Sequence, residues 1–167
     1  MILKTERLTL RPQQQDDAPA LFLILNDTEA MCFWSRPPIT RLAVVEELVR
    51  EQQTVMAKGL CQYWTVIEGS DAIGSVDLSL IRDGSAELGF LLRRDRWGFG
   101  FAVEAVAAIV THALGPLGLT RLAAAIQIEN RAAARVLEKT GFAQVDRRNV
   151  AIASGAMKDC AFYLRKR

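Results

Sequence analysis

The sequence predicts a mixed α/β fold built on one sheet, in the order β-α-α-β-β-β-α-β-α-β-β. Three observations carry this reading. Strand-like runs at 61–69, 72–81 and 86–93 are punctuated by the turn-rich stretches EGSD (68–71) and RDGS (82–85), both suited to hairpins. A long apolar stretch from about Phe99 to Leu114 reads as a buried helix. The other helices do not alternate regularly with strands, so the sheet is mixed rather than wholly parallel. With 167 residues, the chain has the length for one domain, 1–167, with a sizeable core.

The elements follow in order. RLTLRP (7–12) alternates Leu8 and Leu10 with polar neighbours and stops at Pro12, a half-buried strand. QDDAPALFLILND (15–27) is a helix that Asp16 or Asp17 can cap, with Pro19 tolerable only in its first turn. Pro37 and Pro38 make 31–40 a loop. Thr40 is placed to cap a second helix, 41–59, with Val44, Leu48 and Val55 at helical spacing and Gly59 at its end. After the three strands and the apolar helix, GPLGLT (115–120) breaks the chain. RLAAAIQI (121–128) reads as a strand from its context. Asn130 caps a short helix closed by Gly141, and 142–152 with 158–166 form a final strand pair.

Composition excludes several classes. A formal charge of +2 with scattered arginines gives no nucleic-acid or acidic-membrane signature. No apolar stretch reaches the roughly 18 residues of a membrane span. Charges at Lys4, Glu6 and Arg7 interrupt any signal-peptide core. Cys32, Cys61 and Cys160 are far apart, no CxxC occurs and His112 is the single histidine, which argues against a zinc site or a disulfide framework. The expectation is a cytoplasmic protein with no metal, no nucleic-acid partner and no membrane partner.

The stretch RDRWGFGFAVEA (94–105) carries the chemistry. Its two glycines join a strand to a helix, where free backbone N–H groups and the helix dipole favour an anion, and phosphates are the usual guests. It is not a dinucleotide fingerprint, because Val103 stands where a third small residue belongs and no acid follows about twenty residues on. It is not a P-loop, because no Gly-Lys-Ser/Thr follows. A bare GxG is also compatible with a tight packing turn.

WGFGFAVEA fits the pattern Q/R-x-x-G-x-G/A with Trp97 in the first place, Gly100 in the fourth and Ala102 in the sixth. It resembles the pyrophosphate loop of the GNAT N-acetyltransferases, and within them the RimJ/RimL type, through Trp97, Gly98, Gly100, Ala102, Glu104 and Ala105. TERLTLRP (5–12), AELGFLL (86–92), ENRAAARVLEKTGF (129–142) and GAMKDCAFY (155–163) resemble further segments of that family, in order along nearly the whole chain.

The resemblance implies a GNAT-like fold with a splayed central sheet. It implies transfer of an acetyl group from acetyl-CoA, as co-substrate, to a primary amine by direct attack. Backbone amides from Trp97 through Gly98, Phe99, Gly100, Phe101, Ala102 and Val103 would hold the pyrophosphate. The backbone of Phe90 and Leu92 would pair with pantetheine, and an N–H near Phe90 or Leu91 would meet the oxyanion. Asn130 has two compatible roles, helix cap and pantetheine contact. Glu87 is the candidate base, through water. Trp34 lies where this fold builds its acceptor wall. Asp77 alternates with Ser75 and Ser79 on a polar face and reads as a solvated carboxylate, and Arg131 and Arg135 as solvated cations. Glu104 recurs in the family with no role beyond local support. The chain departs from the pattern at two places where the family often carries hydroxyls: Leu137 replaces a Tyr and Ala133 a Ser. No general acid is carried over, although a thiolate with a pKa near that of free Cys leaves without one. The acceptor, a protein N-terminus or a small amine, stays open, as does oligomeric state, with homodimers common in the family. The rival reading is a non-catalytic acyl-CoA-binding or interaction protein on the same fold.

Overall fold

A computed structural model describes residues 1–152 and 155–167. The strands are β1 (Leu3–Lys4), β2 (Leu8–Pro12), β3 (Gln62–Glu68), β4 (Asp71–Arg82), β5 (Ser85–Leu92), β6 (Arg121–Gln127), β7 (Ala143–Ala151) and β8 (Met157–Lys166). The helices are α1 (Ala18–Leu25), α2 (Leu42–Ala57), α3 (Phe101–Leu114) and α4 (Arg131–Lys139). The strands form one sheet in the order β1-β2-β3-β4-β5-β6-β8-β7. Among the described residues only β5 and β6 run parallel, and their pairing covers just Ser85–Glu87 against Arg121–Ala123. Beyond Glu87 the two strands part, which is the splay the family resemblance implies.

Two apolar layers hold this sheet. On one face α3 buries Ala105, Val106, Ile109 and Ala113, spaced along one helical stripe, against Leu78, Leu88 and Leu122. Burying a side chain such as Ile109 contributes about 1.5–3 kcal/mol relative to leaving it in water. His112 belongs to this face, edge-on to Trp64 at 5.9 Å between ring centroids, and burial holds its pKa below the usual value. On the other face α1 and α2 pack over β3–β5, burying Leu21, Ile24, Val45, Val49 and Leu91. Among the described residues no helix is long and apolar enough to cross a membrane.

Several local expectations are corrected. A 3-10 turn (Gln15–Asp17) precedes α1, so the helix is shorter than the predicted 15–27. Asp17 makes no side-chain cap to α1 and instead turns inward. Thr40 does not cap α2; the N-cap is Arg41, without a side-chain bond. The buried stripe of α2 is Val45 and Val49, while Val44 is 41% exposed, so the apolar face is rotated by one residue from the predicted one. Helix α3 starts at Phe101 rather than Phe99, because Gly100 is left-handed, with φ of 82°. Both hairpins form as predicted, the second through left-handed Asp83 and Gly84. Gly59 and Gly141, both at positive φ, follow α2 and α4.

Candidate active site

The parting of β5 and β6 opens a cleft of about 590 Å³ that runs through the sheet. Trp97, Gly98 and Gly100–Val103 line one end, Phe90–Leu92 the middle, and Phe33 and Trp34 the side toward α1. Asn130 and Ala133 of the α4 start complete the wall. Of the candidate catalytic and binding residues, all but Phe99 and Glu87 meet here, while Asp77, Glu104 and Arg131 lie off this lining. Phe99 is 61% exposed: the left-handed glycines on both sides of it swing its ring outward, where it stacks on Phe101 at 6.0 Å.

The glycine loop is built for an anion. Gly98 and Gly100 have φ of 83° and 82°, a region a side chain rarely enters. Gly100 begins α3 with no side-chain cap, so the amides of Phe101, Ala102 and Val103 keep no partner within the helix, while Glu104 N–H donates to Gly100 O at 3.1 Å. The indole Nε1 of Trp97 donates to Leu92 O at 2.9 Å, tying the loop to the end of β5. A second tether comes from β1–β2. Glu104 accepts from Thr5 Oγ1 at 2.5 Å, Arg7 N at 2.9 Å and Arg7 Nε at 2.7 Å, and Arg7 Nη1 donates to Phe99 O at 3.0 Å. Burial alone would raise the Glu104 pKa; the bonds from Thr5 and Arg7 outweigh it and hold the carboxyl below its usual range. Glu104→Ala leaves the Thr5 hydroxyl and the Arg7 amide without their acceptor. The expected loss is about 2 kcal/mol, read as a melting temperature lowered by roughly 4–8 °C; an unchanged melt would remove this tether.

The middle of the cleft offers free backbone. Arg93 N–H donates to Ile73 O at 2.8 Å, which fixes the alternation of the β4–β5 ladder. By that alternation Leu91 bonds to Ser75 on β4, while Phe90 and Leu92 turn their backbone groups toward the gap left by β6. The Leu92 carbonyl is taken by Trp97, so the groups left facing the gap are the Phe90 amide and carbonyl and the Leu92 amide. Of the two amides considered for an oxyanion, Phe90 is therefore the available one. Asn130 caps α4, its Oδ1 accepting from Ala133 N at 3.1 Å, and its side chain also forms part of the cleft wall. Arg135 and Lys139 stand on that wall and Arg131 does not.

On the α1 side, Gln127 of β6 donates its Nε2 to Phe33 O at 3.0 Å and so positions the Phe33–Trp34 wall. Glu87 is exposed and borders a second hollow with Arg82, Ser85, Arg121 and Lys166. Asp77 is not the solvated carboxylate its alternation suggests. It is half-buried and lies across Gly89, where a Cβ would come within 2.5 Å of its Oδ1. Burial first, and the charge of Glu87 second, push its pKa up to about 7.

A family model described as an acetyltransferase (GNAT) domain matches residues 7–143. The chain belongs to the GNAT acetyltransferase family. It is 30% identical over 144 residues to an uncharacterised N-acetyltransferase, p20, of Bacillus licheniformis, covering 84% of this chain and 81% of that protein. Its fold matches that of the RimL ribosomal-protein α-N-acetyltransferase solved with coenzyme A, at a TM-score of 0.90 and 19% identity, over 99% of this chain and 98% of that one. It also matches the spermidine N-acetyltransferase of Vibrio cholerae solved with CoA and spermine, at 0.85 and 21%, over 97% and 96%.

This GNAT acetyltransferase carries no hydroxyl at the two places where the family pattern suggested one. Leu137 is wholly buried in the core, and Ala133 presents a methyl group to the cleft. Tyr163 and Cys160 do not line the cleft, and burial pushes both their pKa values up. Sequence reasoning missed the Thr5–Arg7–Glu104 tether, because its partners lie about a hundred residues apart in the chain. It also missed Arg93, which pairs through both Nη atoms with Asp71, at 3.1 and 2.6 Å, and with Asp95 through Nε at 2.7 Å. These pairs pin the 3-10 turn Arg94–Arg96 that delivers the glycine loop.

Proposed function

We propose that the protein is a cytoplasmic N-acetyltransferase that uses acetyl-CoA to acetylate a primary amine, either a protein N-terminus or a small amine. One observation carries the reading: the free amides of the α3 start and the unpaired backbone of Phe90 and Leu92 line one continuous cleft. That fits a long ligand with a diphosphate at one end and amide groups along its arm. Arg135 and Lys139 add positive charge to the same wall. Acetyl-CoA supplies the activated acyl group.

The chain's own residues then have four tasks. Amides 98–103 anchor the phosphates, and left-handed Gly98 and Gly100 keep that backbone open. Phe90 and Leu92 align the arm so that the thioester lies at the splay. The Phe90 N–H stabilises the carbonyl oxygen as it gains charge. Glu87, facing the α1 side, takes up the amine's proton through water, and Trp34 walls the acceptor's entry. Without a hydroxyl at 133 or 137, the departing sulfur takes its proton from water or from the new amide nitrogen.

Calorimetric titration with acetyl-CoA, followed by thiol release against amines, peptide N-termini and aminoglycosides, tests the proposal. Binding with turnover on at least one acceptor is expected. Tight binding with no turnover on any acceptor would instead favour a non-catalytic acyl-CoA binder, the reading that the missing hydroxyls favour. Absence of binding would sink both. Glu87→Gln is expected to slow turnover; a pH–rate profile identical to wild type in both height and position would remove Glu87.

A further inference from the structure

Strand β4 places a second carboxyl beside the candidate base. Asp77 pairs with Gly89 and Ser79 with Glu87, so Asp77 and Glu87 are diagonal neighbours on one face, about 7–8 Å apart on a sheet. Tyr63 of β3 pairs with Asp77 from the other side and shares that face. The Asp77 carboxyl leans over β5: a Cβ at Gly89 would meet its Oδ1 at 2.5 Å, Cγ at 3.1 Å and Oδ2 at 3.1 Å. Gly89 is thus the gap through which this carboxyl reaches the strand whose next residues, Phe90 and Leu91, line the cleft. The residue is half-buried, and its carboxyl has no hydrogen bond or ion pair among the described residues. A half-buried carboxylate without a protein donor has only water to compensate it, so a cation or a proton is favoured there.

We propose that Asp77 is the first acceptor of the substrate amine's proton, with Glu87 as the outer, solvent-facing member of a carboxylate pair that passes the proton on. This rests on the acetyl transfer proposed above and deepens it: the acceptor arrives as a cationic amine. The balance is simple. The ammonium gives one proton to the Asp77 carboxylate. The freed amine forms the N–C bond as the C–S bond breaks, and its second proton goes to the departing sulfur. The first proton leaves from Asp77 by way of Glu87 to water, so each turnover releases one proton.

The neighbourhood suits such a base. With its pKa raised to about 7, Asp77 is both able to ionise and basic enough to take a proton at neutral pH. Its raised value comes from burial and from the Glu87 charge. The other titratable groups around it are Tyr63, whose own pKa is raised by burial and by Asp77, with Cys61 and Arg36 next to Tyr63, and Arg82, Arg121 and Lys166 around Glu87. Helix α1, which packs on β4, brings no titratable side chain over Ala18–Leu25, and β6 presents Ala123 and Ala125.

The test is the pH dependence of kcat/KM, together with acetyl-CoA binding by calorimetry, in wild type, Asp77→Asn and Glu87→Gln. Wild type should lose activity as pH falls through about 7, because the base is protonated there. Asp77→Asn should lower kcat by roughly 10²–10⁴-fold, abolish that acid limb and leave acetyl-CoA affinity unchanged. Glu87→Gln should move the limb to lower pH, since removing the neighbouring charge eases ionisation of Asp77. This second variant keeps the idea testable if Asp77→Asn does not fold. An Asp77→Asn enzyme with wild-type turnover and an intact limb would overturn the proposal and leave acetyl transfer standing. A limb unmoved in Glu87→Gln would do the same. A wild type that neither binds nor uses acetyl-CoA would overturn both.

Discussion

Gly100→Val is expected to weaken acetyl-CoA binding by at least about tenfold, the equivalent of roughly 1.4 kcal/mol. Gly100 holds φ of 82° as the first residue before α3. The left-handed region costs an ordinary residue about 1–2 kcal/mol, and a β-branched one more. Space is not the obstacle, because the nearest atom to an added Cβ is Arg7 Nη2 at an ordinary 3.6 Å. The variant must therefore either carry backbone strain or rotate out of it, and rotation turns the amides of 101–103 away from the cleft. Asn tolerates this conformation better than Ala, and Ala better than Val. Calorimetry on the three variants should rank affinity in that order. Equal affinity across the series would detach the loop from phosphate binding.

Asp17→Ala should be the most damaging single change to stability, about 3–5 kcal/mol, because it leaves the partly buried Arg11 guanidinium, the Gln14 amide and the buried Thr65 hydroxyl without their acceptor. For a chain of this size that is a fall in melting temperature of roughly 6–20 °C. Asp17 is 3% exposed. It receives both Nη atoms of Arg11, at 2.8 and 2.6 Å, the Gln14 amide at 2.7 Å and the Thr65 hydroxyl at 2.6 Å. Burial alone would raise its pKa, but these donors outweigh burial and hold it below the usual carboxylate range. A lowered folded-state pKa contributes stability that is complete above about 4, the unfolded value, and disappears as pH falls through the folded value. Wild type should therefore lose this increment on acidification below about 4. Asp17→Asn should show a flatter stability curve across the same window. Parallel curves would mean that Asp17 is not the group titrating there.

The order of elements was legible because its signals are local. The turn stretches at 68–71 and 82–85, the proline pair at 37–38 and the glycine loop each act over a few residues, and each falls where the chain turns. The phase of α2 was not legible, since Val44, Val45, Leu48 and Val49 are all apolar and only the sheet beneath decides which pair is buried. The phosphate end of the cleft could be read from one motif, because a glycine loop and the helix behind it are contiguous in sequence. Glu104 could not, since what it holds arrives from β1–β2. Asp77 shows the limit most clearly. Alternation gave its face correctly, but its burial depends on Gly89, an absent side chain on the neighbouring strand. The outward turn of the Phe99 ring was not legible for a related reason: the pattern counts residues, while two left-handed glycines decide which way the ring between them points.

The three tryptophans divide in a useful way. Trp34 and Trp97 stand on the cleft, Trp97 with its indole bonded to the Leu92 carbonyl, while Trp64 is 2% exposed on the far side of the sheet beside His112. Intrinsic fluorescence therefore contains two emitters that see what enters the cleft and a third whose surroundings stay fixed. Filling the cleft changes the emission of the first two against a constant buried background. The protein thus carries its own optical gauge of occupancy, with Trp97→Phe and Trp34→Phe separating the phosphate end from the acceptor end.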